Sequence, residues 1–296
     1  MDRPVPFSLI IPAHNEEAVI GRCLETALRD APETAEIDVI VAANGCGDRT
    51  AEMARKAAPN ALVLELPVGS KTAAINAANS EASFFPRIYL DADIECEFAS
   101  LAALARTVCE PGIMTAAPAI QLELSHCNAF VRSYYAAWMQ QPFAKAGKGG
   151  AGCYALSEAA IQNVGEFPEI IGDDIWIHTR FADDQKRMVS QDRDGNPVFS
   201  RVRPPRSARE QVKVEARRMI GNREVRQKFP SVHFENTSKS GGFRASLKSG
   251  ASMIDLATFY AIKFLVRAEM KISAWRGEDR VWSRDLSSRQ TEVVDR

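Results

Sequence analysis

Phe84-Phe85-Pro86-Arg87-Ile88-Tyr89-Leu90-Asp91-Ala92-Asp93 joins an apolar run to two carboxylates spaced by one residue. Such a run reads as a buried strand with its carboxyl end at Leu90, and open α/β sheets bind their ligands at the carboxyl ends of their strands. Two aspartates there can reach one divalent cation, or one cation and a neighbouring ribose, which suits a nucleoside diphosphate. Asp-x-Asp is also common as a solvated turn or helix cap, so its meaning depends on the elements around it.

Upstream, Phe7 to Pro12 reads as a buried strand, and Glu16 to Arg29 as a helix with Ile20, Leu24, Ala27 and Leu28 on one face. Ile37 to Ala42 is a second strand, followed by the turn Asn44-Gly45-Cys46-Gly47-Asp48 and a helix over 50–58. Leu62 to Leu66 is a third strand, Lys71 to Ser80 a helix, and Arg87 to Leu90 a fourth strand. This alternation predicts an α/β fold with a mainly parallel central sheet flanked by helices. Downstream come a helix over 101–108, strand-like stretches in 112–124 interrupted by Pro118, the Gly-rich passage 147–152, a short strand Cys153 to Leu156 and a helix from Asp173-Asp174 to about Ala182.

At 296 residues, with 46% hydrophobic and 25% charged side chains, the composition is that of an ordinary globular enzyme. A net charge of -1 points to no nucleic-acid partner. Residues 201–296, however, hold about 21 Lys and Arg against about 11 Asp and Glu, leaving that third near +10 and the rest near −11. The expected division is a catalytic domain over 1–200 and a basic, mainly helical region over 201–296. The six cysteines form no Cys-x-x-Cys pair, which argues against structural zinc. With no signal-peptide pattern before the first apolar run, the expectation is a cytoplasmic protein. The apolar window 251–266 carries Asp255 and Lys263 and is too short and charged for a comfortable span. The basic amphipathic stretch 250–285 either packs on the catalytic domain or lies on an anionic membrane surface; in the second case the protein is peripheral on the cytoplasmic face and its acceptor is lipid-linked.

Pro12-Ala13-His14-Asn15-Glu16-Glu17, Asn44-Gly45-Cys46-Gly47-Asp48-Arg49-Thr50, Gly69-Ser70-Lys71 with Ala74 and Asn76, and Asp91-Ala92-Asp93 resemble the successive motifs of family 2 glycosyltransferases. Gly150-Ala151-Gly152-Cys153-Tyr154, then Gly165-Glu166-Phe167 and Gly172-Asp173-Asp174, resemble that family's acceptor-side half, so the likeness covers residues 6–185. It implies the GT-A fold, a nucleotide-sugar donor, Mn²⁺ or Mg²⁺ as cofactor, and inverting transfer to a hydroxyl of a glycan or glycolipid. The Gln-x-x-Arg-Trp segment of processive synthases is absent, which favours one sugar per encounter.

By the same resemblance, Asp93 and Asp91 hold the metal, Asp174 is the general base and Asp173 its neighbour. Pro12, His14, Glu16, Asn44, Asp48, Lys71, Asp91, Ala92, Arg217 and Arg218 face the donor, and Gly150, Ala151, Gly152 and Trp176 the acceptor. Bland readings stand beside these. Glu16 with Glu17 also suits a first-turn charge pair, Asp48 and Asp173-Asp174 suit helix caps, and Lys71, Arg217 and Arg218 suit solvated faces. His178, four residues after Asp174, is an assisting candidate, and His233 a third metal ligand. Tyr134, Tyr135 and Trp138 suit core packing or sugar stacking. Ala42-Ala43 stand where relatives often carry an acid that reads the base, which puts uracil in doubt. The rivals are a nucleotide-sugar-binding protein without transfer activity and a sugar nucleotidyltransferase; the latter is disfavoured because the first strand leads into no Gly-rich phosphate loop.

Overall fold

The computed structural model describes residues 4–141, 144, 152–233 and 252–276. It forms two compact units, one of residues 1–121 and 150–202, the other of residues 122–149 and 203–296.

In the first unit, β1 (Phe7–Ala13), β2 (Ile37–Asn44), β3 (Leu62–Leu66) and β4 (Arg87–Leu90) pair in parallel in the order β3-β2-β1-β4. Every residue of β1 and β4 is buried, which explains why these strands read as unbroken apolar runs: helices cover both faces. The crossovers are α1 (Ile20–Leu28), α2 (Thr50–Ala57) and α3 (Lys71–Glu81). After β5 (Glu95–Cys96) and α4 (Phe98–Val108), β6 (Thr115–Leu122) and β7 (Cys153–Leu156) extend the sheet, with β7 antiparallel to both β4 and β6. α6, the label for Glu158–Val164, leads to α7 (Asp173–His178), β8 (Lys186–Val189) and β9 (Phe199–Val202). Parallel register aligns Ala13 with Ala43 and Ile10 with Tyr89, so the ends of β1, β2 and β4 open on one edge of the sheet.

Local departures from the predicted elements have identifiable causes. α1 starts at Ile20, because Glu16 N donates to Thr50 Oγ1 at 2.7 Å and Glu17 N to Asp48 Oδ2 at 3.2 Å, holding the entry as a loop. Pro118 sits inside β6 as the last residue paired with β8, where its missing N–H is tolerated. α7 stops at His178, after which Thr179 Oγ1 donates to the carbonyls of Ile175 and Trp176, both at 3.0 Å, and closes the turn.

The second unit contains α5 (Ala129–Met139), α8 (Ala208–Lys228) and α9 (Met253–Arg276), which pack against one another. Tyr134 stacks on Phe259 at 5.3 Å, and Tyr134 and Trp138 are buried, so these rings serve the core. Among the described residues, no helix is long and apolar enough to cross a membrane.

Candidate active site

Lys71 opens α3, directly after the cap formed by Ser70 Oγ and Ala73 N. Its ammonium lies 2.6 Å from Asp91 Oδ1 and 2.8 Å from Asp173 Oδ1. Asp91 follows β4 and Asp173 begins α7, so one lysine ties the end of the parallel half of the sheet to the start of α7. The remaining oxygen of Asp173 accepts from Tyr154 OH at 3.1 Å, and the Tyr154 ring stacks on Tyr89 at 5.0 Å. Tyr89 OH in turn donates to Asn79 Oδ1 at 2.9 Å.

The adjacent aspartates have opposite surroundings. Asp173 is 2% exposed, whereas Asp174 is exposed and accepts from Ile175 N at 2.8 Å in the first turn of α7. Burial pushes the Asp173 carboxyl above its ordinary range, and the pull of Lys71 does not cancel that against the added repulsion of Asp174 and Asp91. Burial alone would lower the Lys71 ammonium, but Asp173 and Asp91 raise it well above its usual value, so it stays charged. Burial and the neighbouring Asp173 also raise the Tyr154 phenol, which remains a donor.

Backbone at Gly152 completes the wall beside Asp91, accepting from Asp91 N at 2.8 Å. Gly152 has φ +61, and a Cβ there would come within 2.4 Å of Ile94 Cγ1 and 3.4 Å of Asp91 Oδ2, so the close packing here admits only glycine. Gly150 and Ala151 lie outside the described residues. Asp93 is half-buried and Ala92 buried in the same turn. Among the described residues, no group of three or more His, Cys, Asp or Glu is placed to hold a metal ion. Asp91 and Asp93 stand two positions apart in the turn that follows β4.

The first two loops meet at His14 and Asn44. His14 Nδ1 bonds the Asn44 carbonyl, and the Asn44 amide donates to the carbonyls of Ala13 at 2.8 Å and Ala42 at 3.2 Å. Gly69 faces the His14 ring, with a virtual Cβ 3.0 Å from Cε1. Gly45, with φ +56, lies so close that a Cβ would meet Gly69 N at 2.5 Å. Pro12 is buried beneath this junction, and the strand end at Ala42-Ala43 is buried and apolar. Asp48 accepts from Thr50 N at 3.0 Å and from Glu17 N, while Glu16 N uses Thr50 Oγ1, so this group braces the loops.

Other predicted residues have different settings. Trp176 is 3% exposed, packed on Phe167 at 5.4 Å under the Arg180 guanidinium, so its ring anchors α7. His178 ends α7, its carbonyl accepting from Lys186 Nζ at 3.1 Å. Arg217, Arg218 and His233 belong to the second unit, where Arg218 lies 3.4 Å from Glu215. A surface cleft of ≈ 440 Å³ flanked by Arg106, Arg187 and Arg193 includes none of the residues of the Lys71 cluster. Tyr154, which lies in the Gly-rich motif but is not among the predicted site residues, and Asn79, outside the motifs, are the neighbours that complete this cluster. Asn76, present in the third motif, clamps Phe167 in both directions, donating to its carbonyl at 2.8 Å and accepting from its N at 2.9 Å.

Residues 8–148 match the family model described as Glycosyl transferase family 2. That match spans just under half of the chain and agrees with the resemblance read from the motifs. The chain shares its GT-A fold with the mannosyltransferase PcManGT from Pyrobaculum calidifontis, solved with GDP-Man and Mn²⁺, at TM-score 0.58 and 15% identity over 96% of this chain and 84% of that one. S. aureus TarS, solved with UDP-GlcNAc, resembles it at TM-score 0.50 and 16% identity over 87% of this chain and 79% of that one. No curated protein matches the chain.

Proposed function

We propose that this protein is a family 2 glycosyltransferase that moves a single sugar from a nucleotide-sugar donor to an acceptor hydroxyl by one inverting displacement. The observation that carries the reading is the Lys71 bridge, which joins Asp91 to Asp173, the residue before Asp174, in one salt-bridged cluster. An inverting displacement needs those two ends together: stabilisation of the leaving diphosphate on one side and a base for the acceptor on the other.

Asp174 is the general base in this reading. It is the exposed member of the pair, whereas both oxygens of Asp173 are already engaged by Lys71 and Tyr154. Asp173 is then a positioning residue that fixes the start of α7. Asp91 and Asp93 would hold Mn²⁺ or Mg²⁺, and the ion would supply Lewis-acid stabilisation of the charge that develops on the leaving diphosphate. Lys71 adds a fixed positive charge beside the same oxygens. His14, Asn44 and Pro12 shape the nucleoside end, and the buried Ala42-Ala43 leaves that strand end without an acid to read the base. Gly152 lets the backbone before β7 pack against the Asp91 turn.

The test is transfer or hydrolysis across UDP-, GDP- and dTDP-sugars with Mn²⁺ or Mg²⁺. Turnover is expected with one donor class, and its loss in Asp93→Ala. Full activity in that variant overturns the metal assignment, and nucleotide-sugar binding with no turnover on any donor reduces the chain to a binding protein.

A further inference from the structure

α9 is apolar on two opposite faces. Leu256, Phe259, Ile262 and Val266 are buried, and they form the face toward α5 and α8. At 100° per residue, Ile254, Phe264, Leu265, Ile272 and Trp275 fall on the far side, and all are exposed, with Trp275 at 88%, Ile254 at 75% and Phe264 at 70%. A helix with one partnered face should turn charge toward water on the other. This one turns an aliphatic and aromatic stripe about 30 Å long, from a rise of about 1.5 Å per residue.

The edges of the stripe say what covers it. Arg267 and Lys271 are exposed along one border, while Lys263, the remaining cation on the helix between 253 and 271, is drawn inward to Glu215 at 2.6 Å. α8, packed against α9, is basic as well: the two helices carry about 11 Lys and Arg against about 5 Asp and Glu. An apolar stripe with an aromatic residue near one end and cations beside it matches the profile of helices that lie in the plane of an anionic bilayer. A second copy of this chain would meet the same cations with like charge.

We propose that the outer face of α9 docks the protein on an anionic lipid surface, with Phe264, Leu265 and Trp275 entering the acyl boundary and Arg267 and Lys271 meeting lipid phosphates. The helix lies along the surface and does not span it. This docking is independent of the transfer chemistry and is measured without it.

Sedimentation of the full chain with vesicles tests the proposal. The protein is expected to pellet with phosphatidylcholine vesicles containing phosphatidylglycerol, to bind pure phosphatidylcholine far more weakly, and to be released by high salt. Phe264→Glu with Trp275→Glu should weaken binding about tenfold or more, and Arg267→Glu with Lys271→Glu about fivefold for each charge removed. All four side chains are surface groups, so unchanged melting temperatures establish that the variants fold. Equal pelleting of the Phe264→Glu/Trp275→Glu protein overturns the proposal. So does a solution mass of two chains that becomes one in that variant, which assigns the stripe to a second copy.

Discussion

Each unit of the molecule holds a lysine among acidic groups, and the two arrangements differ in sign. In the sheet unit, one ammonium, Lys71, serves two carboxylates, Asp91 and Asp173, with Asp174 beside them. In the helical unit, one buried carboxylate, Glu215, is served by two cations, Lys263 at 2.6 Å and Arg218 at 3.4 Å. Burial by itself would raise both acids. It succeeds for Asp173, which lacks enough positive charge, and fails for Glu215, which Arg218 and Lys263 hold below its ordinary range. A cluster left short of positive charge at a strand end is poised to accept a cation, whereas a cluster with its charges matched between helices is scaffold.

The comparison breaks first at Asp174. Asp174→Asn should lower turnover by about 10² to 10⁴ while leaving donor binding and melting temperature unchanged, as read by steady-state rates beside a nucleotide thermal shift. A loss of stability with no selective loss of turnover would make Asp174 a helix-cap residue instead. Glu215→Gln should do the reverse. It leaves two cations without their buried acid and should cost about 3 kcal/mol of stability, with per-molecule activity retained in the folded fraction.

Lys71→Met sharpens the same contrast through pH. With its counter-ion gone, Asp173 should cost about 2 kcal/mol at neutral pH in the metal-free protein. Asp173 has a folded value above its unfolded one, so the stability linked to it is present below the ordinary carboxylate range and is lost as pH rises through the folded value. Glu215 has a folded value below its unfolded one, so its contribution is present above that range and is lost as pH falls through the folded value. Melting curves should therefore show the Lys71→Met deficit closing in mild acid, above the ordinary carboxylate range. The Glu215→Gln deficit should close only within and below that range. Coincident windows would mean that the two clusters are electrostatically alike.

Much of the parallel half of the sheet was legible because its signals are local. β1, β2 and β4 are buried on both faces and so appear as continuous apolar runs, and the acids at 91 and 93 follow one of them directly. Contacts across long sequence separations left no such trace. The loop character of 16–19 depends on Asp48 and Thr50, more than 30 positions downstream, and local periodicity extends the helix through it. The clamp between Asn76 and Phe167 spans 91 positions. Asp173 and Asp174 are identical letters in sequence; one helical step of about 100° sends the first into the core and the second to solvent. The outer stripe of α9 is a similar case, because composition shows an apolar helix and only packing shows which of its faces is partnered.

Tyr154 offers the finest test of the sheet-unit cluster. Its hydroxyl holds the second oxygen of Asp173, and its ring is fixed by Tyr89, so Tyr154→Phe removes one hydrogen bond and little packing. A single buried hydrogen bond to a carboxylate contributes about 1 to 2 kcal/mol, and its loss makes the ionised form of Asp173 harder to hold. If Asp173 acts by fixing the start of α7, the variant should keep its KM for donor and lose a few-fold in kcat, as the Asp174 carboxylate is aimed less sharply. An altered donor KM with kcat unchanged would place Asp173 on the donor side of the bridge, and Lys71 would then be a diphosphate ligand that happens to rest on two aspartates.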